Sequence, residues 1–194
     1  LAGFELGIVL QGQQQSGQPA RHAAIMLAEC SLVMLGVNAL LFISSLHSDM
    51  DRARQISHYW RHRGAKTVIG GAFASTYPQL CEPWFDAVVV GDPEGTVPHV
   101  YADFCANKLK KRYVSTPYAA DAVRTPRFDL FPGSQHYALC FEATRGCVHA
   151  CEFCVVPTAW GRRPFQKPVH EVVADIRQHG ARKLIFVDLN LIAD

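Results

Sequence analysis

ALLFISSLHSDMDRARQISHYWRHRGAKTVIGG, residues 39–71, carries the pattern from which the fold is read. It opens on an apolar, partly β-branched run that ends in Ser44 and Ser45, the signature of a buried strand. Asp49 stands where a helix N-cap belongs, a helical stretch follows, and Gly64 stops it. KTVIGG then repeats the strand pattern and closes on Gly70 and Gly71. Strands apolar on both faces, joined by a helix, belong to a parallel sheet covered by helices.

The alternation extends in both directions. Downstream, ASTYPQLCEPW reads as a short helix, DAVVVGD as a strand ending at Gly91, and TVPHVYADFCANKL as a helix. Upstream, FELGIVL reads as a strand, QGQQQSGQPA as a polar loop and RHAAIMLAECSLVML as a helix. The expectation is a doubly wound, Rossmann-like α/β domain over residues 1–110. Such sheets bind ligands beyond their strand C-termini, which makes Ser44, Ser45, Gly70, Gly71 and Gly91 candidate ligand-facing residues. Ordinary turn chemistry alone also accounts for the glycines.

Hydrophobic residues make up 49% of the 194-residue chain and charged ones 19%, so most of it should fold around a core. A net charge of +2 is too small to argue for a nucleic-acid or membrane partner, and NKLKKRY reads as a solvated helix end. The most apolar stretch, residues 27–46, is interrupted by Glu29 and Asn38 and reads as a soluble helix followed by a strand rather than a membrane span. The start has neither an initiator Met nor a basic signal region, so the sequence reads as an excerpt of a longer, cytoplasmic protein. Residues 111–136 hold Pro117, Pro126 and Pro132, show no periodicity and read as a linker. A second unit, 137–194, follows: strand YALCFEATRG, a cysteine loop, the connector GRRPFQKP, a helix from Val169 to His179 stopped by Gly180, and strand RKLIFVDLN.

Seven cysteines, an odd number with three clustered, argue against a disulfide framework and for thiolate ligands in a reducing compartment. Cys147, Cys151 and Cys154 form C-x3-C-x2-C. Structural zinc wants four ligands, usually as two pairs, and no second pair follows. Cys140 and His149 are the nearby candidates for a fourth ligand. Three thiolates on a cubane cluster leave one iron open to a small molecule, which points to chemistry rather than structure.

RGCVHACEFC resembles the signature loop of radical S-adenosylmethionine (SAM) enzymes, with Phe153 as the aromatic before the last cysteine. LLFISSLHS, VIGGAFAS and AVVVGDPEGTVPHV resemble the N-terminal cobalamin-binding domain that one branch of that family carries. The resemblance implies a cobalamin-type sheet followed by the first units of a (β/α) barrel. It implies a 4Fe–4S cluster on Cys147, Cys151 and Cys154, with SAM on the open iron and reductive cleavage of SAM for methyl transfer or radical rearrangement. It places Phe153 near the adenine, Arg162 and Arg163 within reach of a carboxylate or phosphate, and Asp188 and Asn190 at the active-site end of a barrel strand. Leu189 stands where related sequences often have a second acid. No Asp-x-His-x-x-Gly motif is present to supply a histidine to cobalt, and SSLHSDM has a different spacing. Expected partners are a small-molecule substrate and an electron donor such as flavodoxin or ferredoxin. The alternatives are a methylthiotransferase acting on tRNA or a ribosomal protein, whose second cluster would need Cys30, Cys81 and Cys105, and a non-catalytic metal- or cofactor-binding module.

Overall fold

The computed structural model describes residues 6–9, 39–116, 123, 138–160, 165–180 and 183–191. The chain divides into two units, Leu1–Ser115 and Thr116–Asp194.

The first unit is built on a five-stranded parallel sheet of order β1-β2-β3-β4-β5. Its strands are β1 (Leu6–Val9), β2 (Leu40–Ser44), β3 (Lys66–Gly70), β4 (Ala87–Val90) and β5 (Arg112–Val114). Between them run α1 (Met50–Arg61), α2 (Ala72–Thr76), α3 (Pro78–Cys81) and α4 (Val97–Cys105). Helices cover both faces. Leu41, Ile43, Ile69 and Val88 pack against Met50 and Ala53 of α1 and against Phe73, Cys81 and Phe85. Leu40, Val68, Ala87, Val89 and Tyr113 pack on the other side around Val100 of α4. Alternate residues of one strand thus enter two cores, which is why the strands are apolar without alternation. Val68 and Ile69 are 1% and 0% exposed, and each such side chain contributes about 1.5–3 kcal/mol through burial.

Four details differ from the sequence expectations. β5 lies inside the stretch expected to be linker; its Arg112 and Tyr113 pair in register with Val88 and Val89, and Tyr113 is buried. The strand order is sequential, so the reversal that marks the ligand crevice of a doubly wound sheet is not among the described strands. Asp49 occupies the N-cap of α1 without a side-chain capping bond. The helix expected after β3 is split at Tyr77, because Pro78 disfavours helical geometry in the residue before it. The expected helix over 21–35 lies outside the described residues. Among the described residues no helix is long and apolar enough to cross a membrane.

The sheet's N-terminal end is tied by polar groups. Ser57 Oγ of α1 lies 2.8 Å from Thr67 Oγ1 and donates to Trp84 O at 2.6 Å. Thr67 donates through its backbone N–H (2.9 Å) and its hydroxyl (3.2 Å) to Asp86 Oδ2.

In the second unit β6 (Leu139–Phe141) pairs in parallel with β9 (Leu184–Phe186), and β7 (Thr144–Arg145) pairs antiparallel with β8 (Phe165–Gln166). Helices α5 (Val156–Trp160) and α6 (Val169–Gln178) lie between them in sequence. The barrel start expected here takes the form of one parallel pair with its crossover. The single strand expected over 137–146 is broken at Glu142 and Ala143, and β8 sits inside the expected connector. Val155-Val156-Pro157 opens a short helix, where proline is tolerated because first-turn N–H groups have no intrahelical partner.

Candidate metal and cofactor site

The cysteine loop leaves β7 through Gly146, which is buried at φ +86°, a conformation that costs glycine least. Cys147 and Cys154 are half-buried and Cys151 is exposed; none is in a disulfide. Cys154 N donates to Cys151 O at 3.0 Å and closes a turn that keeps the last two thiols on one tight segment. Among the described residues no three His, Cys, Asp or Glu side chains converge on a single ion. Cys140 is exposed, on the face of β6 opposite the buried Leu139 and Phe141, and His149 is exposed in the loop.

The C-terminal end of β9 is laced to the start of this loop. Asp188 Oδ1 accepts the backbone N–H of Ala143 at 3.0 Å and, closely, that of Thr144. Thr144 Oγ1 donates to Asn190 O at 2.8 Å. These bonds take up the amides where the expected strand breaks. They also leave Asp188 Oδ2 and Asn190 Nδ2 buried with no hydrogen-bond partner among the described residues. An acceptor and a donor are therefore both unsatisfied at the strand end beside the loop, at a cost of about 1–3 kcal/mol each unless a ligand or water meets them.

The sequence reading missed one feature. Arg145 Nε and Nη2 meet Glu142 Oε1 and Oε2 at 2.8 and 2.6 Å, a two-pronged ion pair directly before the loop. Its signal was the Glu-x-x-Arg spacing in FEATRGC. Phe153 is 90% exposed, so no part of the described protein packs on its ring. Arg162 and Arg163 lie outside the described residues.

In the first unit Ser44 and Gly70 end β2 and β3, and Gly91 follows β4. Ser44 ends β2 exposed, while Ser45 is buried with its hydroxyl on Leu46 O at 2.8 Å. The glycines serve the backbone. A Cβ on Gly71 (φ +92°) would meet Ser44 Oγ at 2.8 Å and Ser45 O at 3.0 Å. One on Gly91 (φ +85°) would meet Ser115 Cβ at 2.8 Å. Gly70 has ordinary clearance, its nearest neighbour being Val89 Cβ at 3.8 Å. A shelf follows β2, where the His47 ring meets Phe73 at 4.6 Å and Tyr77 at 5.5 Å, both edge-on. Leu46 and Tyr77 are exposed there. This partly apolar, aromatic surface suits a flat, ring-bearing ligand.

No protein-family model matches the chain. It is 31% identical over 132 residues to the bacteriochlorophyllide d C-8(2)-methyltransferase of Chlorobaculum tepidum, covering 62% of this chain and 29% of that protein. A shorter stretch of 54 residues is 43% identical to the ribosomal protein uS12 methylthiotransferase RimO of Opitutus terrae, covering 28% of this chain and 11% of that one. In structure the chain resembles TsrM of Kitasatospora setae, a radical SAM methyltransferase solved with cobalamin and a [4Fe-4S] cluster bound. The TM-score is 0.67 and the identity 16%, over 88% of this chain and 41% of that one. The fold is shared with part of a radical SAM methyltransferase. The chain spans less than a third of the length of the curated relatives it matches.

Proposed function

We propose that the chain carries the cofactor-binding portion of a cobalamin-type radical SAM methyltransferase. Cys147, Cys151 and Cys154 would hold the 4Fe–4S cluster, and SAM would lie beside it against the end of β9. When bound, the cluster supplies the electron that cleaves the sulfonium C–S bond of SAM. The observation that carries this reading is the pair of unsatisfied groups after β9, in residues hydrogen-bonded to the segment that leads into three free thiols. A carboxylate oxygen and an amide N–H, on Asp188 and Asn190, complement the amino and carboxylate ends of an α-amino acid. Asp188 also keeps the start of the loop in place through its other oxygen. Cobalamin would lie at the strand ends of the first unit, against Ser44 and the His47–Tyr77 shelf, with Gly70, Gly71 and Gly91 keeping the turns close. Arg162, Arg163 and Phe153 belong to the SAM surroundings in this reading. A small-molecule substrate, a flavodoxin- or ferredoxin-like donor and a cytoplasmic setting complete it.

The test is anaerobic reconstitution followed by electron paramagnetic resonance of the reduced cluster. SAM should change the spectrum, and Asn190→Leu should weaken that response while leaving iron content intact. A spectrum indifferent to SAM in both the chain and a longer form overturns the proposal.

A second reading, a methylthiotransferase, is favoured by the 43% identity over 54 residues. It requires a second cluster. Cys81 is buried in the core on one face of the sheet, Cys105 is exposed on the helix that covers the other face, and Cys30 lies outside the described residues. That separation weighs against a shared cluster. Iron per chain decides, at about four atoms versus about eight.

A further inference from the structure

The N-terminal end of the first sheet, opposite the strand C-termini, holds a cavity of about 420 Å³ between the end of α1 and the start of β3. Its chemistry is set by His58, Arg61, His62, Lys66 and Asp86. The single acid is already engaged. Asp86 Oδ2 meets Arg61 Nε at 3.3 Å as well as the Thr67 N–H, and Oδ1 meets Lys66 Nζ at 3.4 Å. Arg61 Nη1 donates to Trp84 O at 3.1 Å, which fixes the guanidinium at the rim. Arg61 and Lys66 together outweigh Asp86 by one positive charge before either histidine takes a proton. The imidazoles of His58 and His62 stand one helical turn apart with ring centroids 4.2 Å from each other.

Two readings compete with a ligand site. Cations in the last turn of a helix offset its dipole, which accounts for His58, Arg61 and His62. It does not account for Lys66, which comes from β3 and lines the same cavity. Histidines at i, i+4 also form a known chelating pair for transition metals. Here the one carboxylate of the cavity lining among the described residues, Asp86, is neutralised by two cations, and those cations repel a metal ion. What the cavity offers is donors: the remaining ammonium and guanidinium N–H groups and the imidazole N–H groups.

We propose that this cavity binds a multiply charged oxyanion, a phosphate or diphosphate group of a small molecule. The site is built from residues of the first unit and uses none of the cysteine loop, so the outcome of its test is independent of whether a cluster is bound. The experiment titrates the full chain with inorganic diphosphate and follows the imidazole resonances of its histidines, with chloride at matched ionic strength as control. The expected result is a saturable shift of the His58 and His62 signals with a midpoint of about 1 mM or tighter. His58→Gln/His62→Gln, at two exposed positions, should weaken binding about tenfold or more, and Lys66→Gln should do the same. A shift that does not saturate by about 10 mM overturns the proposal, as does affinity unchanged in the histidine double variant. So does tight nickel binding at these histidines that diphosphate cannot displace.

Discussion

β3 of the first unit and β9 of the second are both centred on apolar residues and live in different surroundings. TVIG in β3 puts Val68 and Ile69 into two cores, while LIF in β9 leaves Ile185 51% exposed, with Leu184 and Phe186 also exposed. β3 is paired on both edges, by β2 and β4; β9 is paired with β6 alone among the described strands. Apolar residues on both faces of a strand therefore report the cover a strand requires, not the cover it has. The unsatisfied Asp188 and Asn190 groups belong to the open unit, and the aromatic shelf after β2 belongs to the closed one.

The largest expected effect tests what the open unit is for. Cys151→Ala should abolish most iron and sulfide uptake on anaerobic reconstitution, because it leaves the cluster held by two of its three thiolates. Cys81→Ala should leave uptake unchanged. Full iron retention in Cys151→Ala removes the cluster, and with it any functional meaning of the contrast.

Hydrogen exchange tests the contrast directly. The amides of Val68 and Ile69, inside a sheet covered on both sides, should open only with the unit as a whole. Those of Ile185 and Phe186 should exchange at least about a hundredfold faster, since they need only local opening. Equal protection would show that β9 is covered in solution.

How much of this was legible follows from the same distinction. Strand–helix alternation, the stop at Gly64, the stop of α6 near Gly180 and the cysteine triplet are local signals, and each was readable. β5 was not, because three residues, Arg112-Tyr113-Val114, carry too little periodicity and owe their strand to the β4 edge. The break between β6 and β7 was hidden for a similar reason: it is fixed by Asp188, more than forty residues away in sequence. The sequence marks Asp188 as a candidate ligand residue, while its hold on the start of the loop is visible only in the fold. The glycines at the strand ends were visible as glycines, but only the positions of Ser44 and Ser115 show what their missing Cβ makes room for.

Two phenylalanines extend the comparison to stability. Phe85 is 0% exposed, and Phe85→Ala should cost about 3–5 kcal/mol through lost burial and the cavity left behind. Phe186→Ala, on the open strand, should cost less than about 1 kcal/mol in urea denaturation of the full chain. A cost at Phe186 as large as at Phe85 would mean the open strand is covered in solution.

The smallest effect is read from two thiols of the closed unit. Burial pushes the Cys81 thiol up from 9.0 to about 11, with Arg54 opposing and Glu82 reinforcing the shift. At pH 8 about one Cys81 in a thousand is a thiolate, so a thiol reagent should reach it only through unfolding, long after the exposed Cys105 has reacted. The same shift makes stability depend on pH with a definite sign. Below pH 9 the thiol is protonated whether the chain is folded or not, and its contribution is complete. Between about 9 and 11 the unfolded thiol ionises while the folded one does not, so the folded state loses ground as pH rises. Cys81→Ala lowers stability at every pH by opening a small cavity, but it removes this slope. The gap between the parent chain and Cys81→Ala should therefore narrow as pH climbs through that window. A gap that stays constant would show that Cys81 is wetter than its place among Ile69, Phe73 and Phe85 implies. The closed unit would then be less closed than its sheet suggests.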